Sequence, residues 1–101
     1  MNEDFKAELA VNNEPIELNP FTEQFLARTV IGGVSSLRGA ESVRDLELRL
    51  ERGDVTLVVN GDELPVTPFP GEVITNTVTG LVSTLKGVGK MESVRISIKG
   101  S

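Results

Sequence analysis

The chain opens on strict alternation: Phe5, Ala7, Leu9 and Val11 are set apart by Lys6, Glu8 and Ala10. A period of two is the pattern of a half-buried strand. Asn12-Asn13 then turns the chain towards Ile16 and Leu18, which predicts a hairpin. A second hairpin follows the same plan. Val55, Leu57 and Val59 alternate, Asn60-Gly61 is the strongest short hairpin signal, and Leu64 and Val66 come next. Two-residue turns would set Leu9 opposite Ile16 and Leu57 opposite Leu64.

Each hairpin leads to a capping residue and a proline, Asn19-Pro20 or Thr67-Pro68, the signature of a helix start. In the first helix Phe21, Phe25, Leu26, Val30, Val34 and Leu37 recur at spacings of three and four, with Gly39 as the stop. The second helix is ambiguous alone, because Val73, Ile74, Thr75, Thr77, Val78, Thr79 and Val82 are β-branched and suit a strand. Its match to FTEQFLART in the first settles it as a helix, with Phe69, Val73, Ile74, Val78, Leu81, Val82 and Leu85 as the apolar stripe. A last alternating strand closes each half, carrying Leu46, Leu48 and Leu50 in one and Val94, Ile96 and Ile98 in the other.

The phrase VIGGVSSLRG, Val30 to Gly39, returns 48 residues later as VTGLVSTLKG. Sliding residues 12–40 onto 60–88 gives ten identities in 29, where ordinary residue usage supplies about two. The expectation is one domain, 1–101, of α+β class. It is an internally duplicated ββαβ unit, with repeat 1 about 5–52 and repeat 2 about 53–99, forming a mainly antiparallel sheet with two helices packed on one face. Arg52-Gly53 should join the third and fourth strands, setting Leu50 opposite Val55 and Leu48 opposite Leu57. The strands holding Pro15 and Pro65 should be edges. One sheet meeting these conditions runs 2-1-6-3-4-5 in chain numbering. With both helices on one face, that order is expected to make one crossover left-handed, which is rare. On this reading one premise should fail, and the strand order stays open.

Composition narrows the function. In 101 residues, 39% apolar content is enough for one modest core. The formal net charge is −5 and the ten Lys and Arg are scattered, so no basic stripe is available for nucleic acid. The start, MNEDFKAE, is acidic where a signal peptide is basic, and no apolar run approaches spanning length. The expectation is a cytoplasmic protein without membrane or nucleic-acid partners. The sequence has no His, Cys, Trp or Tyr. The usual general base, the thiolate nucleophile and the imidazole and thiolate metal ligands are therefore missing. The expectation is that the protein is not an enzyme and takes no cofactor or metal.

Short motifs do not change this. Asp45, Glu47 and Glu51 alternate on one strand, as charge on a solvated sheet face does. Ser83-Thr84-Leu85-Lys86 matches S-x-x-K without its companion motifs. Gly87-Val88-Gly89-Lys90 lacks the first glycine and the hydroxyl of a phosphate loop. Arg52-Gly53-Asp54 and Asn19-Pro20-Phe21 fall where a hairpin turn and a helix start already explain them.

One surface stands out. With the stripe of the second helix turned to the core, Thr75, Asn76, Thr79, Gly80, Ser83 and Thr84 face out, and Glu72 is the only charge between Pro68 and Leu85. The first helix offers Ala27, Arg28, Ile31, Gly32, Ser35 and Ser36. Solvated helices normally carry Glu and Lys in quantity, whereas small uncharged side chains suit another surface. The leading expectation is a non-enzymatic interaction or assembly module, homodimeric through the helix layer, with Thr75, Asn76, Thr79, Gly80, Ser83, Ile31, Gly32 and Ser35 at the interface. The alternative is a carrier of a small apolar or anionic ligand between the two pseudo-equivalent halves. A cavity lined by Phe21, Phe25, Phe69 and Leu85 would mark the carrier, and a close-packed seam there would mark the interaction module.

Overall fold

The computed structural model describes residues 5–37, 42–52, 54–85 and 88–100. In chain order the elements are β1 (Phe5–Val11), β2 (Glu14–Ile16), α1 (Pro20–Val34), β3 (Asp45–Glu51), β4 (Asp54–Val59), β5 (Asp62–Leu64), α2 (Pro68–Val82) and β6 (Ser93–Gly100). The fold is α+β, with one six-stranded antiparallel sheet and two helices. Its extents of 36 × 34 × 19 Å are those of a two-layer slab.

The turns follow from backbone geometry. Asn12 and Asn13 have φ of 53° and 69°, and Asn60 and Gly61 have 51° and 89°. Positive φ at both central residues is the type I′ pattern, whose twist matches that of the flanking strands. The registers come out as the alternation requires: Leu9 opposite Ile16, Leu57 opposite Leu64, Leu50 opposite Val55 and Leu48 opposite Leu57. Gly53 lies outside the described residues, but Glu51 pairs with Asp54 across that turn.

The strand order is β2-β1-β6-β3-β4-β5. This is the order the edge and hairpin arguments produce, with the difference that the second edge strand does not hold Pro65. The handedness objection was misplaced. The right-handed rule governs crossovers between parallel strands, and every neighbouring pair here is antiparallel. Counting along the sheet, β2 runs opposite to β3 and β5 opposite to β6, so neither helical connection is a parallel crossover. β5 stops at Leu64, and Pro65 lies just beyond it.

One row crosses the middle of the sheet, Leu9–Ile96–Leu48–Leu57, and all four are buried. The same cluster takes in Leu26, Ala27, Val30 and Val34 of α1 and Ile74, Val78 and Val82 of α2. At roughly 25 cal/mol per Å² of apolar area, each buried Leu or Ile contributes about 2 kcal/mol.

The helix stripes differ from the sequence expectation. Phe21 and Phe69 are 73% and 75% exposed, and Phe25 and Val73 are both 48% exposed, whereas Ala27 is fully buried. At about 100° per residue, a stripe from Phe21 through Val34 spans more than half the helix circumference, too wide for one sheet contact. The sheet takes the arc from Leu26 to Ala27 and leaves Phe25 on the flank. The small size of Ala27 lets α1 lie close to β1.

Side chains seal that approach. The Gln24 amide accepts from Phe5 N (3.1 Å) and donates to Phe5 O (2.7 Å), and Glu23 accepts from Ala7 N (2.9 Å). β2 is too short to reach these groups, so α1 finishes the edge of β1. In α2 the residues 48 positions on are Gly71, with no side chain, and Glu72, which is exposed.

Asn19 Oδ1 caps α1 by accepting from Thr22 N (2.7 Å). Thr67 makes no such side-chain bond, although both helices open with the same backbone bond, Glu23 N to Asn19 O and Gly71 N to Thr67 O, each 2.9 Å. Both helices end earlier than the periodicity implies. After Val34 the amides of Ser36 and Leu37 bond three residues back, to Gly33 and Val34, a tightened last turn. Gly39 lies outside the described residues.

Candidate helix-layer surface

The outer face of the helices is poor in charge and rich in exposed apolar area. α1 carries Glu23 and Arg28, and α2 carries Glu72. Glu23 is engaged with β1, and the Arg28 guanidinium lies 5.6 Å from the centre of the Phe5 ring. Among the described residues, all four large exposed hydrophobics are on these helices: Phe21, Phe25, Phe69 and Val73. The Phe21 and Phe25 rings pack at 5.7 Å between centroids, a tilted aromatic pair.

Several hydroxyls of α2 and its last turn are turned back on their own helix. Thr79 Oγ1 donates to Thr75 O (2.8 Å), Ser83 Oγ to Gly80 O (2.9 Å) and Thr84 Oγ1 to Leu81 O (2.7 Å). Such back-bonding is typical of hydroxyls inside helices. It satisfies the hydroxyl within the helix, so burying it against another surface leaves no donor without a partner.

The eight residues expected at an interface divide. Asn76, Gly80, Ser83, Gly32 and Ser35 are exposed on the helix layer. Ile31 is half-buried and packs against the core cluster. Thr75 and Thr79 turn to the side, lining a separate cleft of about 500 Å³ with Leu50, Met91 and Val94 below and Arg52 and Lys90 beside it.

Between the helices runs a groove of about 370 Å³. Val30, Gly33 and Val34 of α1 face Phe69, Val73 and Thr77 of α2 across it, and no charged residue lines it. This is neither of the alternatives posed by the sequence. There is an open groove in place of a closed seam, yet Phe21, Phe25 and Leu85 do not line it.

The opposite face of the sheet is different in kind. Lys6, Glu8, Asp45, Arg49, Arg95 and Lys99 are exposed there. Arg49 stands directly opposite Arg95, an unfavourable like-charge pair. An ion pair on this face, Arg49 to Glu47 at 3.9 Å, is exposed on both sides and adds little stability.

Sequence reasoning missed the four exposed apolar residues because it placed them in the core. It also missed a role for the first asparagine of each hairpin. Asn12 Oδ1 accepts from Glu92 N (2.7 Å) and Ser93 N (3.0 Å), and its Nδ2 donates to Lys90 O (2.8 Å). Asn60 repeats the arrangement on Arg44 N (2.8 Å), Asp45 N (3.0 Å) and Ser42 O (3.0 Å). The identity of these two positions was the available signal.

Among the described residues, no cluster of His, Cys, Asp and Glu could hold a metal ion, and no helix is long and apolar enough to cross a membrane. No protein-family model, curated protein or solved structure matches the chain.

Proposed function

We propose that the protein is a non-enzymatic assembly module of the cytoplasm that pairs with a second copy of itself through the helix layer. The observation that carries this reading is the concentration of Phe21, Phe25, Phe69 and Val73 on one face, rimmed by Asn76, Gly80, Ser83, Gly32 and Ser35. Apolar patches of this kind on a soluble domain mark contact surfaces. The slab face of 36 × 34 Å, roughly 1,200 Å², exceeds the ~800 Å² per partner of a standard interface. With a net charge of −5, two copies repel least when they meet through the face that lacks charge.

The chain is further read as two copies of one ββαβ unit related by a pseudo-two-fold axis through the Leu48–Ile96 pair. What supports this is the recurrence of each register at an offset of 48. Leu9 pairs with Ile16 and Ile96, and Leu57 pairs with Leu64 and Leu48. The matching bonds of Asn12 and Asn60 favour the same reading.

Light scattering between low and high micromolar concentration tests the dimer. Twice the chain mass at the upper end is the expected result, and a particle of 10.9 kDa throughout would refute self-association. The groove supports a second reading, a carrier of a small apolar ligand. Its uncharged lining offers an anion no partner. Gly33 borders it with nothing within 4 Å of an added Cβ. Gly33→Phe should then abolish uptake of an apolar fluorescent probe, and unchanged uptake would remove the carrier reading.

A further inference from the structure

We propose that Asn60 is a latent deamidation site, held unreactive by the three hydrogen bonds that tie its side chain to residues 42–45, and that its conversion releases the start of β3 and the β4–β5 hairpin. Asn60 is the only asparagine in the chain followed by glycine. With no Cβ on Gly61, its amide nitrogen is unobstructed as an internal nucleophile. Asn12 is followed by a residue with a side chain, and Asn19 by a proline, which has no N–H to lose.

The chemistry needs only water. The Gly61 nitrogen attacks Asn60 Cγ and forms a new C–N bond. The Cγ–Nδ2 bond breaks, and Nδ2 leaves as ammonia with the proton from Gly61. Water then opens the cyclic imide at one of its two carbonyls, giving aspartate or isoaspartate. In the folded chain, Asn60 Oδ1 accepts from Arg44 N and Asp45 N while Nδ2 donates to Ser42 O. The carboxamide is thereby fixed towards the loop before β3, and attack requires it to leave all three partners. Exposure of the residue therefore does not make it reactive.

Conversion damages the site in two ways. An aspartate keeps the acceptor but loses the donor to Ser42 O, and it sets a negative charge next to Asp45 and Asp62. An isoaspartate adds a carbon to the main chain inside a two-residue turn, which disrupts the Val59–Asp62 pairing. β5 is an edge strand whose hydrogen-bonded neighbour is β4 alone, so it is the strand that detaches first.

The test uses the full chain. Incubate it at one mildly alkaline pH and one temperature, with and without denaturant, and follow conversion by intact mass and peptide mapping. In denaturant, Asn60 should convert before every other asparagine. In the folded protein its rate should fall at least tenfold, which corresponds to a local opening free energy of about 1.4 kcal/mol. Equal rates in the two states, or another asparagine converting first in denaturant, would overturn the proposal. Asn60→Asp should raise hydrogen exchange at Arg44, Asp45 and Asp62. Wild-type exchange there would overturn the claim that conversion releases the hairpin. If that variant fails to fold, isolated deamidated wild type supplies the same measurement.

Discussion

Two glycines on the helix layer allow fold and interface to be perturbed in opposite directions. Gly32 and Gly80 lie inside α1 and α2, both are exposed, and an added Cβ at either meets nothing within 4 Å. Replacing glycine in a helix interior by a good helix former gains up to about 0.8–1 kcal/mol per site. Gly32→Arg with Gly80→Arg should therefore stabilise the isolated fold by about 1.5 kcal/mol, raising Tm by roughly 6–12 °C at about 4–8 °C per kcal/mol for a domain this small. The same change puts four guanidinium groups into a symmetric dimer interface that carries almost no acidic partner. Even with partial escape of each head group to solvent, an unpaired desolvated charge costs several kcal/mol. Self-association should weaken by roughly 100-fold, about 2.7 kcal/mol. The assay is a thermal melt at a dilution where the wild type is dissociated, so that dimer linkage does not enter, paired with sedimentation equilibrium at high concentration. A variant that melts higher and dimerises as tightly as wild type would refute the helix-layer interface. A variant that melts lower would show that these glycines face a packed surface and that the outer face is misassigned.

Three other outcomes follow from the same structure. Asn12→Ala removes the three bonds to Lys90, Glu92 and Ser93 and should cost about 2–3 kcal/mol in a urea melt. Asn13→Ala, at φ 69°, should cost only the backbone strain, about 1 kcal/mol; equal losses would deny the clamp. Gln24→Ala strips both bonds from the Phe5 backbone and should cost about 1–2 kcal/mol, with faster hydrogen exchange at Phe5 and Ala7; unchanged exchange would show that solvent already serves that edge. Residues 1–52 expressed alone lack β6, the strand that joins β1 to β3, so they should be unfolded at low concentration, and a cooperatively folded monomer would overturn the single-core reading.

Most of the sheet was legible because its signals are local and period two is unforgiving: a slip of one residue would turn Leu48 and Leu57 to solvent. Turn chemistry at Asn12-Asn13 and Asn60-Gly61 then fixed the registers. The order was derivable too, and it stayed open only because a rule for parallel strands was applied to connections between antiparallel ones. The helix layer was harder to read. Periodicity at three and four cannot say which side of Leu26 meets the sheet, since Phe25 and Ala27 lie about equally far round the helix on either side of it. Size suggests that the phenylalanine is inside. The close seat of α1 on β1, set by Gln24 and Glu23, selects the alanine. That seat is a tertiary fact with no local signature, and it turned four expected core residues into the exposed patch.

The two faces of the slab argue for the same contact from opposite directions. The sheet face presents Arg49 against Arg95 with Glu8, Glu47, Asp45, Lys6 and Lys99 around them. Covering it with another protein would desolvate charges of both signs, which is repaid only by closely matched partners. Left in water, the same groups keep their hydration and incur no such cost. The helix face has the reverse balance. The Ser83 and Thr84 hydroxyls are already satisfied by their own helix, so burying them leaves no orphaned donor, and the exposed rings lose unfavourable hydration when covered. A chain that faced water on both sides would be expected to spread its charge over both. Here the charge is gathered on the sheet and the large apolar side chains on the helices, the division expected when one layer is solvated and the other is covered by a partner.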